Sequence, residues 1–274
     1  MVDPDDGPAT PTGDALSADE PLYVGYLPMP AGHRRFLVRL LVVLGLSIIA
    51  LAGVIAHFQR APAAPGAYQG SARNVRVFDG VLYTQPYGIL RVPGDTADAP
   101  TQTLLLTTGG KSGVAHLVTG LDGRSVQMKG TLRGRHGRHV FAMDTNFGIR
   151  EIEMAATQRE RLERPEARAD SAGERILRGE IIDPKCFTGA MKPGDGKAHK
   201  ACAINCLRGG IPPMFVTRDP KGQETFYLLQ DQGGGAILEP LIPLVGDPVE
   251  VRGQVFQQGD MSLLRITPDS LRRL

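Results

Sequence analysis

The chain has no tryptophan, and aromatic side chains make up only 5% of its 274 residues. A scarcity of large rings argues against a groove that binds single-stranded nucleic acid by stacking bases on aromatic faces. Cysteine is scarce too: three residues are too few for a small disulfide scaffold. Net charge is only +2, which speaks against a strongly basic nucleic-acid binder. Long apolar runs are missing apart from one, so a polytopic membrane protein is excluded. What is present is globular usage, 42% apolar and 22% charged, in a length that allows one or two domains with cores of their own.

The single long apolar run lies near the amino terminus. Leu40 to Ala56 is uncharged, and the run extends back to Phe36 with only Arg39 interrupting it. That suffices to cross a hydrocarbon core of about 30 Å as a helix. Arg39, within a turn of the end, can reach the headgroups. A removable signal peptide is the alternative, but an acidic, Pro-rich stretch precedes the run where a short basic region belongs. Residues 1–30 hold Asp3, Asp5, Asp6, Asp14, Asp19 and Glu20 and no Lys or Arg, so the rest of the chain is +8. We expect a disordered acidic cytoplasmic tail at 1–32, with a short docking motif at Tyr23 to Met29, then a transmembrane helix at 33–58. Arg34, Arg35 and Arg39 stand on the amino-terminal side of the uncharged run, against Arg60 and later Arg73 on the other, which favours a carboxy-terminal body outside the cytoplasm, periplasmic in a bacterium.

Past a linker at 59–72, short β-rich runs alternate with Gly and Pro turns, the pattern of small barrels or sandwiches. Two such series are separated by a charge-rich helix or linker at 154–174. They form a divergent internal repeat: Gly123-Arg-Ser-Val126-Gln-Met128-Lys-Gly130 matches Gly246-Asp-Pro-Val249-Glu-Val251-Arg-Gly253 at an offset of 123, and Gly80-Val-Leu matches Gly179-Glu-Ile at 99. The difference, 24 residues, is an insertion in the second half. The expected fold is mainly β: two tandem barrels, 73–153 and 175–274, the second with a helical insertion at 186–213. The order of runs resembles the OB-type barrel, a five-stranded Greek key; a β-sandwich is the alternative.

All three cysteines lie in that insertion. Asp195 is a suitable N-cap, residues 197–207 contain no helix breaker, and Gly209 and Pro212 supply a stop. On the resulting helix His199, Cys202 and Cys206 share one face, and Cys186, at the end of a strand, can approach it. Cβ atoms four residues apart on a helix are about 5–6 Å apart, too far for a disulfide that needs about 3.8 Å. A metal tolerates this spacing, so Cys186, His199, Cys202 and Cys206 are the expected ligands of Zn²⁺ or Cu(I), with Met191 a conceivable extra thioether. Alternatives are a disulfide from Cys186 to a helical cysteine, giving a stapled partner-binding module, and a cycling thiol pair, giving a redox or electron-transfer protein. Covalent c-type haem is excluded, because no Cys-x-x-Cys-His occurs.

The string Gly179-Glu-Ile-Ile-Asp-x-x-Cys186, His199-x-x-Cys202-Ala-x-x-Cys206, Gly209-Gly-x-Pro212, followed by Tyr227-Leu-Leu, is similar to a group of uncharacterised bacterial exported or membrane-anchored proteins. The resemblance spans about residues 176–256. It implies an exported accessory role beside respiratory or metal-handling systems and carries no settled activity. Four protein ligands close a zinc site, whereas a catalytic zinc keeps a position open, so the reading is an accessory subunit of a membrane complex rather than an enzyme. Expected partners are the membrane and that complex, not nucleic acid. Two further motifs have ordinary readings. Arg133-Gly-Arg-His136-Gly-Arg-His139 is a solvated hairpin turn, with anionic lipid or an acidic partner as the alternative. Gly109-Gly110-Lys111-Ser112 is a turn and not a phosphate loop, because Leu105 stands where the motif requires Gly.

Overall fold

The structure, a computed structural model, describes residues 29–59, 75–94, 96 and 99–274. Residues 1–28 and 60–74, with most of the expected tail, all of its docking motif but Met29, and most of the linker, lie outside the described residues. The chain divides into two compact units, 1–62 and 63–274.

In the first unit, α1 (Ala31–Gln59) is long and apolar enough to cross a membrane. Its 29 residues extend for about 44 Å at 1.5 Å each. Phe36, Leu41 and Ile49 are exposed, so the helix has no protein core to bury against in its own unit.

The second unit holds two OB-type barrels. The first consists of β1 (Val75–Tyr83), β2 (Ile89–Val92), β3 (Gln102–Thr108), β4 (Ser125–Arg135) and β5 (Arg138–Met143), closed in the order β1-β2-β3-β5-β4-β1. The second repeats that circuit with β7 (Arg168–Ile182), β8 (Met214–Arg218), β9 (Glu224–Asp231), β10 (Pro248–Gln258) and β11 (Met261–Ile266). The β3–β5 and β9–β11 pairs are parallel, and the other pairs antiparallel. Short strands β6 (Ile149–Glu151) and β12 (Leu271–Arg273) add to β4 and β10.

Sequence alternation accounts for these strands. Along β10, Val249, Val251 and Val255 point into the core while Glu250, Arg252 and Gln254 point out. The repeat reappears in hydrogen bonding: Gly123 N–H donates to Leu82 O at 2.7 Å, and Gly246 N–H to Ile181 O at 3.1 Å. Both glycines have φ +71°, a conformation that favours a residue without Cβ. Gly80 pairs with Val126, and Gly179 with Val249, at the offsets read from sequence.

Gly179 is required by close approach, because a Cβ there would collide with the Val216 carbonyl on β8. Gly179→Ala is therefore expected to cost about 1–3 kcal/mol, the usual range for overpacking. Urea unfolding measures this. Gly109→Ala, with open space at the Cβ position, serves as the control and should change the midpoint little.

The segment between barrels differs from expectation. A short helix, α2 (Ala156–Arg161), is present, but β7 already begins at Arg168, seven residues before the expected 175. This early part pairs with the far end of β10, through Ala169–Phe256 and Arg168–Gln257. It carries an Arg175–Asp170 ion pair and no apolar alternation, so nothing in its pattern announces a strand.

The barrels share a core. Ile89, Leu105 and Val140 of the first pack with Ile182, Met214, Val216, Phe226 and Leu228 of the second. Tyr87 ties the same seam: its hydroxyl donates to Leu229 O at 3.0 Å and accepts from Ile237 N–H at 3.0 Å. Burial pushes the Tyr87 phenol up to about 12. The folded state thus holds this proton more tightly than an unfolded chain, whose tyrosines titrate near 10. Its contribution is complete below about pH 10 and is lost as pH rises towards about 12. Tyr87→Phe is expected to flatten that part of the stability profile relative to the parent, as measured by denaturant midpoints at pH 9, 10 and 11.

Candidate metal centre

The site is built where the second barrel departs from the first. The β1–β2 connection is residues 84–88, whereas the β7–β8 connection runs from 183 to 213. Directly after the buried Ile181 and Ile182 comes Asp183, which is fully buried. Its Oδ1 accepts the N–H groups of Lys185 (2.9 Å) and Cys186 (3.2 Å), an Asx-type turn that fixes the backbone leading into Cys186. Cys186 opens a single wide helical turn, Cys186–Ala190.

The second element is α3 (Gly196–Arg208). Asp195 stands at the N-cap, but its side chain pairs with Arg218 at 2.6 Å instead of capping. The Gly196 N–H is taken by Glu180 Oε1, also at 2.6 Å. Two adjoining stripes of α3 face inward. Ala203 and Leu207 enter the second barrel's core, while His199 and Cys206, both buried, and half-buried Cys202 turn towards Cys186.

The three sulfurs all lie within 4.8 Å of one another. A second group with the same spacing consists of Asp183, Cys186 and His199. The four expected side chains thus fall into two groups that share Cys186, His199 being grouped with Cys186 and Asp183 and not with Cys202 and Cys206. Met191 is exposed and belongs to neither group. All three cysteines are free thiols.

Electrostatics in this volume are tightly linked. The Cys186 thiol is raised above its ordinary pKa by hydrogen bonding to Cys206, by burial and by the Asp183 charge. Burial alone would raise Asp183, but the facing His199, Cys186 and Cys206 side chains and the Cys186 N–H hold it below the usual carboxylate range. Asp183 Oδ2 and His199 Nε2 are nevertheless buried without a hydrogen-bond partner, facing each other at 3.8 Å. Buried polar atoms left unpaired are costly. Thiolates, an imidazole and a carboxylate are all ligand types for Zn²⁺, and the three thiolates equally suit a softer ion such as Cu(I). The cluster can hold a metal ion.

Two contributions were not read from sequence. Asp183 lies within the sequence motif without a role evident from spacing, although a carboxylate directly after Ile181 and Ile182 is itself a signal. The second is Lys185, whose buried ammonium donates to the carbonyls of Thr108 (2.6 Å), Gly109 (3.0 Å) and Gly110 in the first barrel. The Gly109–Ser112 turn, closed by Thr108 N–H to Ser112 O at 3.0 Å, is thus a cation cradle and not a phosphate loop. Burial lowers the Lys185 pKa, and Arg133 adds to this.

The basic run Arg133–His139 also differs from expectation. Its tip is the two-residue turn His136-Gly137, both at positive φ, but its base is not solvated. Arg135 forms a bidentate pair with Glu224, 2.7 Å on each arm, donates to Phe187 O and lies 4.1 Å from the Phe187 ring centroid. Its acidic partner is within the chain, and Phe187 directly follows Cys186.

Tandem OB-type barrels with a buried cysteine, histidine and aspartate cluster at their seam define the class of this protein. No family model matches the chain, and no curated protein aligns with it. A deletion mutant of the single-stranded DNA binding protein from Thermus aquaticus shows a likeness at 13% identity, covering 73% of this chain and 93% of that one. Its TM-score of 0.19 is too low to bear on function.

Proposed function

We propose that this is a membrane-anchored protein whose body, on the exported side, carries one resident metal ion held by Cys186, Cys202, Cys206 and His199. The observation that carries this reading is the meeting of three sulfurs within 4.8 Å from two separate elements. Burial of Cys186, Cys206 and His199 argues for a closed site that binds or stabilises rather than one that turns over substrate. An accessory or metal-handling subunit of a membrane complex fits both the anchor and the closed centre. The positive flank of Arg34, Arg35 and Arg39 supports an inward amino terminus.

The barrel seam speaks against nucleic acid. OB-type barrels use the face of their second and third strands for oligonucleotides. Here Ile89 and Leu105 of β2 and β3 pack with Met214, Val216, Phe226 and Leu228 of β8 and β9, so each barrel covers the other's face.

Elemental analysis of the full chain, produced in an export-competent host and purified in detergent, tests the reading. About one metal equivalent per chain is expected, and almost none in Cys206→Ser. A metal-free parent protein whose intact mass has lost two hydrogens would replace this reading with a disulfide-stapled module.

A further inference from the structure

We infer that the site selects a soft monovalent ion, Cu(I), which the sulfurs of Cys186, Cys202 and Cys206 hold without His199. The inference rests on the metal-binding reading above and names its ion: the imidazole becomes a fourth donor only for a metal that demands four.

The placement of the donors carries it. The three sulfurs lie within 4.8 Å of one another, and no other donor among the described residues joins all three at that spacing. His199 is grouped instead with Asp183 and Cys186, and its Nε2 faces Asp183 Oδ2 at 3.8 Å. The helix maintains this division. His199, Cys202 and Cys206 all stand on α3, so no shift of the helix changes their spacing, and only side-chain rotation can bring the ring to the thiols. That rotation is opposed from two directions. The ring is 4% exposed in a packed interior, where a new rotamer displaces neighbours. Asp183 cannot follow it, because its other oxygen is fixed by the Lys185 and Cys186 N–H groups. Departure of the ring also strands Asp183 Oδ2, which is buried with no hydrogen-bond partner. Cys186 is under no such restraint from α3, since it lies on a separate turn and can close on the two helical sulfurs. The rest of the shell, Ile211 and Ala190, is apolar and supplies no donor.

The chemistry of the ion then selects. Zinc in closed protein sites is almost always four-coordinate, so three sulfurs leave it one donor short and its binding is weakened by the rotation of His199. Cu(I) is soft, favours thiolates and is satisfied by three of them. Copper therefore binds with His199 in place, and zinc with His199 moved.

The test uses metal-free full chain in detergent, handled without oxygen, with Cu(I) supplied from a competing Cu(I) chelator and zinc added to a separate sample. X-ray absorption on the two loaded forms is expected to show sulfur alone around copper, and sulfur with one nitrogen around zinc. Equimolar Cu(I) is expected to expel zinc from the zinc-loaded chain. In His199→Ala, zinc affinity should fall by at least about 10–100-fold, the loss that even an outer partner of a ligand brings, while Cu(I) affinity stays at the parental value. Cys206→Ser should weaken both ions.

Nitrogen in the copper shell, zinc retained against Cu(I), or a Cu(I) affinity that falls in His199→Ala as steeply as that for zinc overturns the inference while leaving a metal protein. A parent chain that takes up neither ion overturns the metal reading itself. Both absorption spectra are read on the unsubstituted chain, so a variant that fails to fold does not remove the test.

Discussion

Glu224→Ala is expected to destabilise the two-barrel body by about 3–5 kcal/mol, the range for breaking a buried ion pair from one side. The Glu224 side chain is only 3% exposed and receives Arg135 from the first barrel and Arg218 at 3.1 Å from β8. His136 Nε2 lies 3.5 Å away. Arg218 in turn holds Asp195 at the start of α3. One carboxylate therefore joins the β4–β5 hairpin, the β8–β9 hairpin and, through Arg218, the entry to α3. Removing it leaves Arg135, with 17% side-chain exposure, beside an aromatic ring and one carbonyl and without a counter-charge. For a domain of this size each kcal/mol shifts the melting midpoint by roughly 2–4 °C, so a fall of at least about 6 °C is expected. Calorimetry or urea unfolding measures it, and a loss below about 1 kcal/mol would mean the pair behaves as a solvated surface bridge. Glu224→Gln, which keeps an acceptor and the volume, should lose less.

Metal should move stability by a comparable amount. An ion that binds only the folded chain adds RT ln(1 + [L]/Kd), which reaches about 4 kcal/mol at a thousandfold excess over Kd. By the same scaling, zinc titrated onto metal-free protein is expected to raise the midpoint by roughly 8–16 °C. Cys206→Ser should abolish most of that response, whatever the new buried hydroxyl costs the metal-free protein. The decisive comparison is the slope of midpoint against zinc concentration in the two proteins. Equal slopes would mean zinc acts elsewhere.

Legibility in the sequence followed the range of the forces involved. Strands such as β10 declare themselves because inward and outward residues alternate locally, and the repeated glycines mark backbone constraints that any OB-type barrel must meet at the same places. The His199, Cys202 and Cys206 face was readable for a similar reason, since helical periodicity alone aligns it. Asp183 was not, because its importance comes from a neighbour sixteen positions away and from a burial that only the assembled core imposes. The docking of Arg135 was equally hidden. A Gly-interrupted basic run reads as solvated until Glu224, 89 residues downstream, is brought beneath it. Nor could the seam be read, since Ile89 and Leu105 look like ordinary inward residues of one barrel when they also serve the other.

The shared seam bears on how this polypeptide is made. The upstream barrel emerges from the ribosome first, and Ile89, Leu105 and Val140 then have no counterpart until Met214 to Leu228 have been synthesised. During that interval a sticky apolar flank faces whatever is nearby, which favours holding by a chaperone or rapid capture by the downstream half. A fragment ending near residue 153 would keep that flank permanently, and self-association is its natural fate.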